Sequence, residues 1–247
     1  MTSIACRGSR MRVGPLPMIE GLRGHVGHGE SGLKPSLSES LRTETRELHT
    51  LAERSAFMGV LLRGRMERPA YCAMLRNLIA IYAVLEPALD RHASDPLLSP
   101  LSFSQLRREG PLQADLDTLH GTGWLDAYAM QPATVDYVAR LRTLDAVQPE
   151  LLAAHSYVRY LGDLSGGQML RRIVRQSMAL PPGQGTAFYE FGTLEETVQL
   201  KQAYREGLER LQPDEATTRA IVAEARLAFE LHMQLFEELA SDVIVAF

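Results

Sequence analysis

From Ser36 onward, apolar residues recur at helical spacing, and that spacing predicts helices over 71–89, 133–147, 150–161, 168–180, 197–211 and 216–240. No stretch alternates apolar and polar residues long enough to make a strand, so the expected fold is all-α. Helix punctuation agrees. Ser36-x-x-Glu39 after Pro35 and Thr193-x-x-Glu196 after Gly192 read as capping boxes, in which hydroxyl and carboxylate satisfy backbone N–H groups that the first helical turn leaves unpaired. Pro111 is expected to open a further helix that Gly121 ends, and Pro87 to kink or end the 71–89 segment, because its ring clashes with the preceding turn. Proline and glycine cluster at 92–104, 121–131 and 181–192, where breaks belong. No helical repeat of constant period is visible.

One stretch departs from this pattern. Arg159–Leu170, RYLGDLSGGQML, puts Gly162, Gly166 and Gly167 inside a helix at i, i+4 and i+5, with Asp163 overhanging the face they leave bare. Each interior glycine costs about 1 kcal/mol of helix stability relative to alanine, so the cluster calls for a reason. Two reasons stay open on spacing alone: close packing of two helices, or a flat and bulky ligand lying on the bare face. A phosphate-binding loop is excluded, because Gln168 and Met169 stand where that motif needs lysine and a hydroxyl. A membrane dimer motif is excluded too, since Arg159, Asp163 and Arg171 would sit in lipid.

Three other clusters carry candidate chemistry. In LRTETRELHTLAE, Arg42, Arg46, His49 and Glu53 share one helical face. A solvated charged face would look the same, but an acid four residues after a histidine also suits a ligating imidazole, holding one ring nitrogen and leaving the other for iron. Lys201 and Arg205 stand at i and i+4, and Lys201 is one of two lysines beside 24 arginines. They fit either a carboxylate site or plain surface. Phe229, His232, Met233 and Phe236 line one face of the last helix, as core or as a pocket wall, and His232 is a rival ligand to His49.

Composition narrows the class. With 247 residues and 45% hydrophobic content the chain can bury one substantial core. The net charge is −4 with no basic stripe, which argues against nucleic-acid binding, and no apolar segment is expected to span a bilayer. No secretory h-region follows Arg7, Arg10 and Arg12, so a cytoplasmic location is expected. Cys6 and Cys72 form no CxxC or CxxCH motif, which leaves a disulfide framework, a zinc site and covalent heme attachment without support. Residues 1–35 hold seven glycines, three prolines and a charge of +3, a composition expected to stay disordered, with His25 and His28 as solvated tail residues. Residues 36–247 are the expected folded domain. The Glu-x-x-His pairs of a di-iron carboxylate site are absent from it.

LHTLAE around His49, YVRYLGDLSGGQ from Tyr157 to Gln168, LKQAYR and FELHMQLFEEL together resemble the heme oxygenase family, in register from about Ser38 to Ala240. The resemblance implies a single all-α domain that sandwiches heme b between a proximal and a distal helix. His49 then matches the proximal iron ligand. Gly162, Gly166 and Gly167 match distal-helix glycines, Asp163 the acid that orders distal water, and Tyr82 and Arg159 its polar network. Arg42, Lys201 and Arg205 match cations at the heme propionates, with Arg46 near the same rim and Tyr157 on the same side. Phe229 and Phe236 match pocket walls. The implied activity is opening of heme at a meso carbon to biliverdin, CO and ferrous iron. O2 is consumed, and electrons come from an external ferredoxin, flavodoxin or NADPH-dependent reductase. The alternative is a carrier or sensor that binds heme without degrading it. His232 departs from the pattern, since the resemblance assigns no ligand there. A chain ending at Phe247 suggests the soluble, bacterial type, expected as a monomer without a membrane partner.

Overall fold

The computed structural model describes residues 35–244; the predicted leader, with Cys6, His25 and His28, lies outside the described residues. Within them the chain forms ten α-helices and no strand, with long connections at 92–108 and 178–193: α1 Leu37–Glu53, α2 Ala56–Leu62, α3 Arg68–Arg91, α4 Glu109–Leu119, α5 Trp124–Ala127, α6 Pro132–Val147, α7 Leu152–Ser156, α8 Gly162–Ser177, α9 Leu194–Arg210 and α10 Glu215–Ile244. The all-α expectation holds.

Helix starts follow the local chemistry. Ser36 Oγ accepts from the Glu39 N–H at 3.2 Å, and Thr193 with Glu196 makes the full reciprocal box. α4 begins at Glu109, two residues ahead of Pro111, because Glu86 of α3 accepts from the Arg108 and Glu109 N–H groups and caps it from across the fold. It ends at Leu119, with Gly121 at φ +91° turning the chain away. Pro87 does not end α3, which runs on to Arg91. The ring removes a single backbone donor, and Leu85, Ala88 and Leu89 on either side of it are buried deeply enough to hold the helix through that loss.

α3 is also long and apolar enough to cross a bilayer, contrary to the expectation that no segment approaches that length, but 67% of its apolar window is buried inside the protein. Those side chains are the core, packed against α4 and α6. α10 lies along α1 and α6. α1 and α8 make no broad contact with each other. α2 and α9 each contact both α1 and α8, and the space these four helices border is the cleft.

The stretch that the apolar spacing assigned to one helix at 150–161 is three pieces: a 3-10 turn at Pro149–Leu151, α7, and a π-helical turn at Tyr157–Leu161 that runs into α8. A π turn adds a residue to one helical turn and re-aims the side chains it carries. Here those include Tyr157, Arg159 and Tyr160, all buried.

Candidate active site

α1 buries Leu37, Leu41, Thr45 and Ala52 and turns its other face outward, with Arg42 and Arg46 exposed and the His49 side chain 30% exposed. Glu53 Oε1 stands 3.7 Å from His49 Nδ1, within ion-pair reach but beyond a hydrogen bond, and no described residue hydrogen-bonds Nε2. Phe229 of α10 meets the imidazole edge-on, with ring centroids 6.1 Å apart. A half-buried histidine with an acid near one nitrogen and no described hydrogen-bond partner on the other has the layout of a ligand. Among the described residues no group of three or more His, Cys, Asp or Glu side chains converges, so a metal held here would need most of its ligands from elsewhere.

Across the cleft, α8 presents its glycines differently from one another. A Cβ built on Gly162 meets nothing within 4 Å, and one on Gly166 meets only Leu170 Cδ1 at 3.9 Å. Gly167 is buried, and its Cβ would stand 3.6 Å from the Tyr189 carbonyl oxygen. One residue is about 100° of helix rotation, which takes Gly167 off the open face and onto the body of the protein. The packing alternative therefore explains Gly167, and open space explains Gly162 and Gly166.

Asp163 anchors a buried polar network beside that face. Tyr82 OH donates to Asp163 Oδ2, Arg159 Nη2 donates to Oδ1 at 3.2 Å, and Arg159 Nε donates to the Tyr82 oxygen at 3.2 Å. Arg159 Nη1 reaches the His232 ring at 3.2 Å. A guanidinium only donates, so the imidazole nitrogen accepts and His232 is neutral. Burial, reinforced by the Arg159 charge, holds its pKa well below the ordinary histidine value. Burial opposes the Arg159 charge as well, yet Tyr82, Asp163 and Tyr137 keep its pKa above the ordinary value. The Asp163 carboxyl is raised by burial against the pull of Arg159 and Tyr82. His232 is thus drawn into the network of Asp163, and its ring also stands edge-on to Phe236 at 4.4 Å. Phe236 in turn stacks on Phe57 at 5.5 Å.

The rim between α1 and α9 is basic. Tyr157 is buried, which raises its phenol pKa, while Thr45 Oγ1 at 3.5 Å and the charges of Arg42 and Arg205 pull it back. The same tyrosine thus feels a cation from each helix. Lys201 has its pKa lowered by burial and by Arg205. No described carboxylate pairs with Arg42, Lys201 or Arg205. Lys201 and Arg205 are half-buried and Arg42 is exposed; cations left together without a counter-ion repel one another, and an anionic ligand relieves that repulsion. Arg46 is exposed and makes no ion pair with a described residue.

Two further features escaped the sequence reading. Behind Arg159, fully buried His155 contacts Tyr137 OH through Nδ1 at 3.1 Å and Glu224 Oε1 through Nε2 at 2.9 Å, and Arg140 clasps Glu224 from the other side. Glu224 accepts only, so Nε2 carries the proton and Nδ1 accepts from the tyrosine. The four residues come from α6, α7 and α10, and no motif joins them. The second is a cavity of about 620 Å³ bordered by Phe103, Arg108, Phe191 and Leu200, which touches neither His49 nor the glycine face.

The described residues thus carry a half-buried imidazole on α1, a helix whose Gly162 and Gly166 leave open space, and cations on α1 and α9 that no described carboxylate pairs. Residues 35–238 match the family model described as heme oxygenase. Heme oxygenase 1 of Nostoc sp. is 41% identical over 214 residues, covering 87% of this chain and 90% of that protein. Human heme oxygenase 1 is 38% identical over 205 residues, covering 82% of this chain and 71% of that protein. The crystal structure of heme oxygenase-2 from Synechocystis sp., in complex with heme and NO, superposes with a TM-score of 0.82 at 41% identity, over 86% of this chain and 88% of that one. The chain belongs to the heme oxygenase family, enzymes that degrade heme to biliverdin.

Proposed function

We propose that residues 36–247 form a heme oxygenase domain that binds heme b between α1 and α8. Heme is opened there at a meso carbon to biliverdin, CO and ferrous iron, with O2 and electrons from a ferredoxin, flavodoxin or NADPH-dependent reductase. The observation that carries the reading is the open Gly162–Gly166 face of α8, taken together with a half-buried His49 on α1. The residues fit the group. His49 would hold the heme iron through Nε2, with Glu53 beside Nδ1 to favour that orientation. Arg42, Lys201 and Arg205 would hold the propionates together with Tyr157, and arginine can take a carboxylate through two parallel hydrogen bonds. Gly162 and Gly166 would admit the macrocycle close to the backbone, with Gly167 packed behind them, and Phe229 and Phe236 would wall the pocket. When bound, heme supplies the iron at which O2 is reduced and the carbon that is oxygenated.

The protein's part is to deliver protons without over-supplying them. Asp163, its two oxygens engaged by Tyr82 and Arg159, has lone pairs left with which it would accept from a cleft water and orient it for proton delivery. His232 is neutral with its nitrogen engaged by Arg159, and Arg159 is held protonated. Neither gives up a proton readily, and strong distal acids are what favour O–O cleavage in peroxidases. His232 therefore belongs to this network and not to the iron. The enzyme acts as a cytoplasmic monomer in this reading.

The test is a hemin titration of wild type and His49→Ala, followed by ascorbate or a ferredoxin–reductase pair in air with catalase present. Wild type should gain a Soret band and lose it to biliverdin with release of CO. His49→Ala should show an altered band and stalled turnover, with the band restored by added imidazole. A wild-type Soret band that survives reduction in air would make the protein a carrier or sensor. An unaltered spectrum in His49→Ala would remove the axial assignment.

A further inference from the structure

α4 carries two buried charges on one face, Arg108 at its N-cap and Asp115 two turns on, 4% and 1% exposed. Charges so deep require partners, and both find them on the same short turn. Asp115 Oδ1 accepts from the Ala187 N–H at 2.7 Å and Oδ2 from the Phe188 N–H at 2.8 Å. Arg108 Nη1 donates to the Phe188 carbonyl at 3.1 Å and the Glu190 carbonyl at 2.8 Å. The turn at 187–190 is thus gripped through its N–H groups by an anion and through its carbonyls by a cation. Its Arg108 end is tightened by a guanidinium carbon 3.9 Å from the centre of the Phe191 ring.

The other side of that turn is the back of α8. The Tyr189 carbonyl lies against Gly167, Arg171 Nη2 pairs with Glu190 Oε1 at 2.7 Å, and the Phe188 ring packs edge-on to Tyr82 at 6.1 Å. Gly167 lets the helix settle on the turn at van der Waals distance. The turn thus stands as a strut between α4 and the Gly167 side of α8.

We infer that Arg108 and Asp115 are positioning residues for the distal face of α8, acting through the strut at 187–190. This rests on the heme reading of the cleft for its meaning, but the mechanical coupling does not. A helix with an open face has no contact on that side to hold it, so its position is set from behind. Asp115 is suited to the task, because two short backbone hydrogen bonds to one carboxylate fix the turn in direction as well as in distance.

The experiment is Asp115→Asn, which keeps the shape but loses one of the two acceptors. In the heme-free protein, amide hydrogen exchange over 162–170 should speed up about tenfold or more while α1 and α6 stay protected. With heme bound, reduced and exposed to CO, the C–O stretch should shift and broaden, while the ferric Soret band, which reports the His49 side, stays put. Turnover should fall about tenfold with hemin affinity within about twofold, since small misplacements act on the reacting geometry. Should Asp115→Asn fail to fold, Arg171→Ala breaks the strut at its half-exposed α8 end and should raise exchange in the same segment. Faster exchange confined to 187–190, with α8 and the CO band unchanged, would overturn the inference and leave the heme reading standing. Absence of any Soret band in wild type would instead defeat the heme reading while the exchange pattern still judged the strut.

Discussion

Asp163 shows how much one side chain's surroundings decide. Its sequence neighbourhood marks it as an acid beside glycines, but Tyr82 from α3 and Arg159 from the π turn are what occupy its oxygens. Asp163→Asn keeps the volume and one acceptor and loses the charge that Arg159 answers. Turnover should fall about 10²-fold, the usual contribution of a positioned proton-transfer group, with hemin affinity nearly unchanged. Single-turnover kinetics on the preformed complex check this, and a normal rate would take Asp163 out of proton delivery. The sequence singled out Asp163, His49 and His232 by type and spacing, and Arg159 through the family resemblance. It left the role of His232 open between ligand and network, because the choice depends on where Arg159 points, and Arg159 is 73 residues away along the chain.

At the scale of elements, α8 pays twice for its glycines and gets two different returns. Gly167 permits close packing on Tyr189, and Gly166 leaves room in the cleft. Gly166→Ala separates helix stability from ligand fit. Its Cβ would meet only Leu170 Cδ1 at 3.9 Å, so the heme-free protein should gain about 1 kcal/mol and its Tm rise about 2–4 °C. Hemin affinity and turnover should both drop. Calorimetry with a parallel hemin titration reads the opposed signs, and a rise in Tm with unchanged heme binding would show that the open face carries no ligand. Helix existence was legible from apolar spacing, and both capping residues stand where the sequence put them. The π turn was not, because an extra residue in one helical turn leaves the apolar pattern nearly intact. Pro87 misled in the other direction, since local sterics predict a break that burial of its neighbours overrides.

At the scale of the whole molecule, Glu224 of α10 ties together α6 through Arg140 and α7 through His155. Burial works to raise its pKa, but the hydrogen bonds from His155 and Arg140 prevail and hold it at about 2, below the ordinary 4.5. The ionised form is therefore favoured by folding: its contribution is complete above pH 4.5 and disappears as pH falls toward 2. Glu224→Gln should lower Tm at neutral pH by about 10 °C, as expected when one partner leaves a buried ion pair. It should also flatten the acid limb of the stability curve. Thermal melts from pH 7 downward test this, and an unchanged acid limb would mean the clasp adds no net stability. By itself, the sequence determined the all-α class, the imidazole, the glycine cluster and the cations, because helical periodicity and residue chemistry are local and survive being written as a string. The tertiary structure decided which glycine faces the cleft, that His232 serves Arg159, and that Arg108 and Asp115 grip the turn behind α8. Those are pairings between residues far apart in the chain, and only packing brings them within hydrogen-bonding distance.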